Sequence, residues 1–196
     1  AGPALRTITF PVAGPVSYTD TFGAPRSGGR THEGQDLMGR KGTVLVAAVD
    51  GTVTAVRFSN AGLSGNSLTI TDADGWRYVY IHLNNDRGMG ADNSAGCVAG
   101  STYVVPDGST VAAGQQIAWN GDSGDAEGTP HLHFEVHPGG GAAADMDGLA
   151  EAVARLSSLI HALGDVIESI DINPFLVGPA GASALDALVI PQKRSA

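Results

Sequence analysis

A single cysteine, Cys97, stands in a chain of 196 residues. One thiol excludes an intrachain disulfide, and its plainest reading is a small, partly buried side chain. Aromatic residues make up only 6% and charged residues 16%. Cations are the scarcer sign, with 11 Lys and Arg against 20 Asp and Glu, for a net charge of −9. So few cations leave no basic patch to neutralise phosphates, which argues against a nucleic-acid partner and against electrostatic docking on an anionic membrane or wall. Long apolar runs are missing too. None approaches the roughly 20 residues that a transmembrane helix needs, so no transmembrane segment is expected. No signal-peptide pattern is present, and a start at Ala1 without Met suggests a processed or trimmed N-terminus.

What the chain has in quantity is glycine, 28 residues. With sparse charge, this reads as many short strands joined by tight turns rather than a helical bundle. Residues 7–12 form an expected edge strand closed by Pro11, and 21–30 a Gly- and Pro-rich loop. Two hairpins are predicted. Residues 43–48 and 53–58 flank Asp50-Gly51, and residues 67–71 and 76–83 flank Asp74-Gly75. A long polar loop covers 84–100, short strands follow at 102–105 and 116–119, and a second loop, 120–129, leads into a strand at 130–136. Beyond Gly139-Gly140-Gly141 the pattern changes. Met146, Leu149, Val153, Leu156, Ile160, Leu163, Ile167 and Ile170 recur at spacings of three and four. That predicts one long helix over 142–171, with Asp145 as N-cap and Asn173-Pro174 as stop. Its regular seam suits a partner helix, so a homo-oligomer or partner helix through residues 145–171 is an expectation. The tail, 175–196, is expected to fray.

Chemistry concentrates in the histidines. On a strand, His131, His133 and Glu135 share one face and Leu132, Phe134 and Val136 the other. With the apolar face in a core, two imidazoles about 7 Å apart along the strand are presented together, a typical beginning of a metal site. Two surface histidines are the bland alternative. His32 and Asp36 also fall on one face, and the glycines Gly34 and Gly39 argue against a helix there. His32-Glu33 begins like a His-Glu-x-x-His zincin helix, but position 36 is Asp and that motif is rejected. His82 ends a strand on which Tyr78 and Tyr80 share its face, so these tyrosines either wall a groove or pack in the core. His137, before Pro138, reads as solvated and His161 as a surface residue of the helix. Glu135 either orients a ligand as an acceptor or is an ordinary carboxylate.

Three segments then carry a resemblance. His32-x-Gly34-x-Asp36, Tyr80-x-His82-Leu83 and Gly128-Thr129-Pro130-His131-Leu132-His133-Phe134-Glu135 resemble, in order and spacing, the motifs of the lysostaphin-like peptidoglycan endopeptidases, a zinc metallopeptidase family. Asp20-Thr21-Phe22-Gly23, Gly65-Asn66 and Gly121-Asp122-Ser123-Gly124 are similar to further landmarks. The likeness covers about 15–137 and resumes at Ile172-Asn173-Pro174. It implies zinc held by His32, Asp36 and His133, leaving His131 and His82 unligated beside a water that zinc activates. One of these histidines would be the base and the other the stabiliser of the oxyanion, with His131 favoured as base. Glu135, Tyr80 and Asn66 are candidates for supporting or groove roles.

The expected fold is mainly β, an antiparallel sheet or sandwich with a substrate groove and one inserted long α-helix. It is expected to form one metallopeptidase domain over 1–196, with a core at about 5–137 and 172–180, the helical insertion and a tail from 181. The function the resemblance implies is zinc-dependent hydrolysis of peptide bonds in peptidoglycan stem or cross-bridge peptides, outside the bacterial cytoplasm. The alternatives are a non-catalytic wall-binding or activator domain of the same fold and a self-association module built on the helix. The inserted helix and the long loop 84–110 depart from the family pattern.

Overall fold

The computed structural model describes residues 7–19, 21–57, 62–87 and 96–143, together with the backbone of four strands between residues 167 and 191. The chain divides into two compact units, residues 7–143 and residues 144–196 with 1–6.

The first unit is built on one antiparallel sheet. Its strands are β1 (Gln35–Met38), β3 (Gly51–Arg57), β4 (Ser67–Thr71), β5 (Arg77–Ile81), β6 (Thr110–Val111) and β8 (His131–His137), in the spatial order β1-β8-β5-β4-β3-β6. A second antiparallel pair is made by β2 (Val44–Val46) and β7 (Gln116–Trp119). The alternation of apolar residues explains the arrangement. Leu68 and Ile70 on β4, Tyr78 and Tyr80 on β5, and Leu132 on β8 are fully buried, and so are Leu45, Ile117 and Ala118 of the smaller sheet. The phenol of Tyr80 ties the two sheets. It donates to the Val46 carbonyl at 3.1 Å and accepts from the Ala48 N–H at 2.8 Å. The ring also meets Phe134 edge-on at 5.1 Å.

The Asp74-Gly75 hairpin forms as expected, with Ser67 opposite Ile81 and Thr71 opposite Arg77. Asp72 closes the turn by accepting from the N–H groups of Asp74 and Trp76, each at 2.9 Å. The Asp50-Gly51 hairpin does not form. Here β2 pairs with β7, while β3 pairs with β4 and β6. Residues 45–49 are all buried, so this run takes part in the core from both sides instead of forming one half of a two-stranded ribbon. The Asp-Gly pair serves as a switch between sheets. A Cβ on Gly51 would lie 2.6 Å from the Thr71 carbonyl, so glycine lets β3 start hard against β4.

In the second unit, β9 (Ile167–Asp171) pairs antiparallel with β12 (Leu188–Pro191), and β10 (Phe175–Gly178) with β11 (Gly181–Ala184). The expected helix over 142–171 falls mostly on residues 144–166, outside the described residues. Its last turn is corrected, because residues 167–171 are extended and paired. Ile167 and Ile170 are β-branched and suit a strand as well as a helical seam. The tail expectation is corrected likewise, since three strands lie between 175 and 191. The return motif Ile172-Asn173-Pro174 lies outside the described residues.

Candidate metal centre and active site

Strand register brings the first two site residues together. Asp36 on β1 is the Cα partner of His133 on β8. His32, four residues before Asp36, reaches them because Gly34 lets its segment lie flat against β8. A Cβ at position 34 would come within 2.5 Å of the Phe134 carbonyl and 2.7 Å of His133 Nε2. Three atoms then converge. His32 Nε2 is 3.0 Å from Asp36 Oδ1 and 2.8 Å from His133 Nδ1, and His133 Nδ1 is 2.9 Å from Asp36 Oδ1. Among the described residues these three make the one group of His, Cys, Asp or Glu placed to share a metal ion.

The outer partners of the rings decide what faces inward. His32 Nδ1 lies 3.0 Å from the Thr21 carbonyl, which only accepts, so this nitrogen carries the hydrogen and Nε2 is left with a lone pair. His133 Nε2 donates to Glu135 Oε1 at 2.8 Å, which turns Nδ1 inward as the second donor atom. Asp36 supplies the third, while its other oxygen accepts from Arg26 Nη2 at 2.6 Å. Three lone-pair atoms this close repel one another unless positive charge sits among them. A proton on His133 Nδ1 is one solution. Burial opposes it, but the hydrogen bonds to Asp36 and Glu135 prevail and raise the His133 pKa to about 9. A metal ion is the other, and it satisfies all three. Two imidazoles and one carboxylate are a donor set that fits zinc and leaves an open position. Asp36 is suited to stay ionised. Burial would raise its pKa, yet His133, His32 and Arg26 hold it well below the usual carboxylate range.

His131 and His82 complete the cluster without joining the three donors. His131 Nδ1 donates to the Thr129 carbonyl at 2.7 Å, and its Nε2 lies 3.6 Å from Asp36 Oδ1. His82 Nδ1 donates to the Ser123 carbonyl at 2.8 Å, and its Nε2 lies 3.9 Å from Asp125 Oδ1. The two rings are 4.7 Å apart, centre to centre. Burial and the nearby His131 push the His82 pKa down to about 4, so its ring is neutral near pH 7. His82 therefore offers an unprotonated Nε2 to the cleft, and His131, anchored through Nδ1, turns its own Nε2 to the same space.

The placement of His82 corrects the simple strand parity. Tyr80 faces the core, Ile81 the cleft, and His82 would face the core again. It stands instead at φ 65°, in the left-handed region, where among the described residues no other non-glycine is found. That turn swings the ring into the cleft, a strained conformation of a kind that clusters at functional sites. Tyr80 itself is fully buried and does not line the groove, and burial pushes its phenol pKa up. Asn66 is fully buried as well. It works behind the wall, with its N–H donating to Ser123 Oγ at 2.9 Å and its side-chain amide donating to the carbonyls of Gly96 and Asn84 at 2.7 and 3.1 Å.

The cleft over these residues has a volume of about 610 Å³. Arg26, Arg30 and Glu33 line one wall, and Leu63, Ser64 and Asp125 the other. The second wall is interlocked. A Cβ on Gly65 would sit 2.4 Å from the Ser123 carbonyl carbon, and one on Gly124 2.4 Å from the Leu63 carbonyl oxygen. His137 corrects a further expectation. It is buried rather than solvated, 8% exposed, and bonded to Glu135. Arg26 and Asp125 had no motif to announce them in the sequence. His137 had a signal, the even spacing 133, 135, 137 on one strand face. Cys97 is partly buried, and burial raises its thiol pKa.

A small antiparallel β-domain with this cluster in its cleft has the make-up of a metallopeptidase. The model of peptidase family M23 matches residues 30–145, more than half of the chain, and the chain belongs to that family. A family model described as an ATP-grasp domain matches residues 135–190, under a third of the chain, and leaves His32, Asp36 and His133 outside. The catalytic domain of the antimicrobial peptidase lysostaphin from Staphylococcus simulans is 28% identical, with a TM-score of 0.54 over 69% of this chain and 92% of that one. A zinc-containing peptidase from Vibrio cholerae is also 28% identical, with a TM-score of 0.54 over 70% of this chain and 38% of that one. The murein hydrolase activator NlpD of Escherichia coli is 31% identical over 132 residues, 67% of this chain and 28% of that protein. The chain spans 18% to 28% of the length of the curated relatives it matches.

Proposed function

We propose that this chain is a zinc-dependent endopeptidase that hydrolyses peptide bonds in the stem or cross-bridge peptides of bacterial peptidoglycan, outside the cytoplasm. The observation that carries the reading is the convergence of His32 Nε2, Asp36 Oδ1 and His133 Nδ1 beside two further histidines, each anchored through Nδ1 on a backbone carbonyl. His32, Asp36 and His133 would hold the zinc. When bound, zinc supplies Lewis-acid polarisation of a scissile carbonyl and makes water more acidic. His131, anchored through Nδ1 on Thr129, accepts the proton of the attacking water at Nε2 and returns it to the leaving amine. His82 begins as an acceptor as well. Its Nε2 faces the same cleft, 4.7 Å ring to ring from His131, and it would stabilise a developing oxyanion only in the state in which it carries a proton of its own.

The test is digestion of purified peptidoglycan, with released fragments identified by mass spectrometry. New peptide termini are expected with the wild-type chain, none with chelator, and release slowed about a hundred-fold or more with His131→Ala. Intact peptides in every arm would overturn the reading. A second reading, an activator that does not itself cut, draws on the likeness to a murein hydrolase activator. The presence of His32, Asp36, His82, His131 and His133 together speaks for catalysis. The same digestion, repeated with a separate murein hydrolase added, distinguishes the two.

A further inference from the structure

Glu135 serves two rings at once. Its Oε1 accepts from His133 Nε2 at 2.8 Å and its Oε2 from His137 Nε2 at 2.7 Å. The second nitrogen of His137, Nδ1, lies 2.8 Å from the Gly141 carbonyl. Both partners of the His137 ring are acceptors only, and the hydrogen bond to Glu135 raises the His137 pKa above its ordinary value. The row is set by β8 itself. Residues 133, 135 and 137 alternate onto one face, with Glu135 opposite Val79 and His137 opposite Arg77. Arg77 in turn donates to the Gly140 carbonyl at 2.9 Å and so holds the turn that presents Gly141.

A carboxylate clamped at one oxygen presents the other in one direction only. Gly34 closes the remaining space, since a Cβ there would fall 2.9 Å from Glu135 Cγ. We infer that His137 is a positioning residue of the metal centre. It fixes Glu135, and Glu135 fixes the His133 ring with Nδ1 turned toward Asp36 and His32. This inference rests on the metal-centre reading given above. It assigns to a third histidine of β8 a role that acts through its neighbour and touches no reacting atom. Partners of this kind are typically worth about ten- to a hundred-fold in metal affinity.

The experiment measures zinc affinity by competition with a chelator, and the melting temperature of the metal-free chain in parallel. The variants are His137→Ala, Glu135→Gln, the two combined, and His137→Gln, which keeps an N–H toward Glu135. Wild type is expected to bind one zinc per chain. His137→Ala is expected to bind roughly ten-fold more weakly or worse. The double variant is expected to be no weaker than Glu135→Gln alone, because the two residues form one chain of contacts. His137→Gln is expected to recover part of the loss, and it carries the test if His137→Ala does not fold. Unchanged affinity in His137→Ala overturns the inference. So do additive losses in the double variant, or an affinity that falls only in step with metal-free stability. A wild-type chain that binds no zinc overturns the metal centre itself, and the inference with it.

Discussion

Asp36 and His133 are direct partners across neighbouring strands, with Asp36 Oδ1 2.9 Å from His133 Nδ1. Two of the three proposed metal donors thus come from one rung of a ladder, and only His32 arrives from a loop. The rung is fixed by the backbone hydrogen bonds of β1 and β8, so the spacing between these two donors does not depend on either side chain alone. His133→Ala and His32→Ala are both expected to lose zinc, read by metal content after dialysis. His131→Ala is expected to retain it and lose about a hundred-fold or more in turnover, the worth of a positioned base. The reverse pattern, with His131 needed for metal and His133 dispensable, would contradict the assignment.

Gly34 offers the sharpest steric test. Its second Cα hydrogen stands where the methyl group of an alanine would meet the Phe134 carbonyl at 2.5 Å and His133 Nε2 at 2.7 Å. Backbone cannot yield as a flexible side chain can. Gly34→Ala is expected to cost roughly 1–3 kcal/mol of stability, the usual range for overpacking, and to weaken zinc binding. Calorimetric melting and metal titration check both.

For His82, conformation and chemistry can be separated. Asn tolerates the left-handed region better than other non-glycine residues, and β-branched residues tolerate it worst. His82→Asn is expected to melt near the wild-type temperature while turnover falls. His82→Val is expected to be destabilised by about 1–2 kcal/mol. Equal melting temperatures for the two variants would show that the positive φ carries no strain.

Tyr80 belongs to the core and not to substrate. Removing its hydroxyl in Tyr80→Phe strips the Ala48 N–H of its partner. The expected cost is about 1–3 kcal/mol, with zinc affinity and turnover per folded molecule unchanged. A selective loss of turnover would put Tyr80 back in the groove.

The metal-free chain should respond to pH on two sides. Folding raises the His133 pKa to about 9, so this group adds stability below its unfolded value near 6.5 and loses it as pH rises toward 9. For Glu135, burial would raise the carboxyl, but His133 and His137 prevail and bring it to about 2. Its contribution is present above the unfolded value near 4.5 and is lost as pH falls toward 2. Denaturant melts of the metal-free chain between these limits check both signs. Zinc must displace the His133 proton, so its affinity is expected to rise with pH over 6.5–9.

The histidines and Asp36 were legible because strand alternation is a strict rule of period two, and it places His131, His133 and Glu135 without knowledge of neighbours. The same rule failed at His82, while Tyr78 and Tyr80 share one face as expected and that face is the core. One left-handed residue reverses every assignment beyond it, and no residue type announces that turn when the residue is histidine. The Asp50-Gly51 hairpin failed for another reason. A turn signal reports that the chain bends, and not which strand becomes the partner; burial of 45–49 on both sides decided that. Arg26, which anchors Asp36, lies ten residues away along a loop, and contacts of that kind have no period to read.

The two walls of the cleft differ in a way that bears on how such a protein acquires new preferences. On one side Gly65 and Gly124 are set into each other's backbone, and the Asp125 N–H donates to the Leu63 carbonyl at 3.1 Å. An insertion there must be answered by a matching change in the other loop. On the opposite side residues 26–30 are closed by one short pairing, Pro25 with Thr31, and a bond from the Arg26 N–H to the Arg30 carbonyl. Past Arg26, which is tied to Asp36, that loop can lengthen or change composition without a compensating partner. Descendants with altered selectivity, whether natural or made by grafting, are therefore expected to differ first between residues 27 and 30, with the 62–66 and 121–125 segments inherited as a pair.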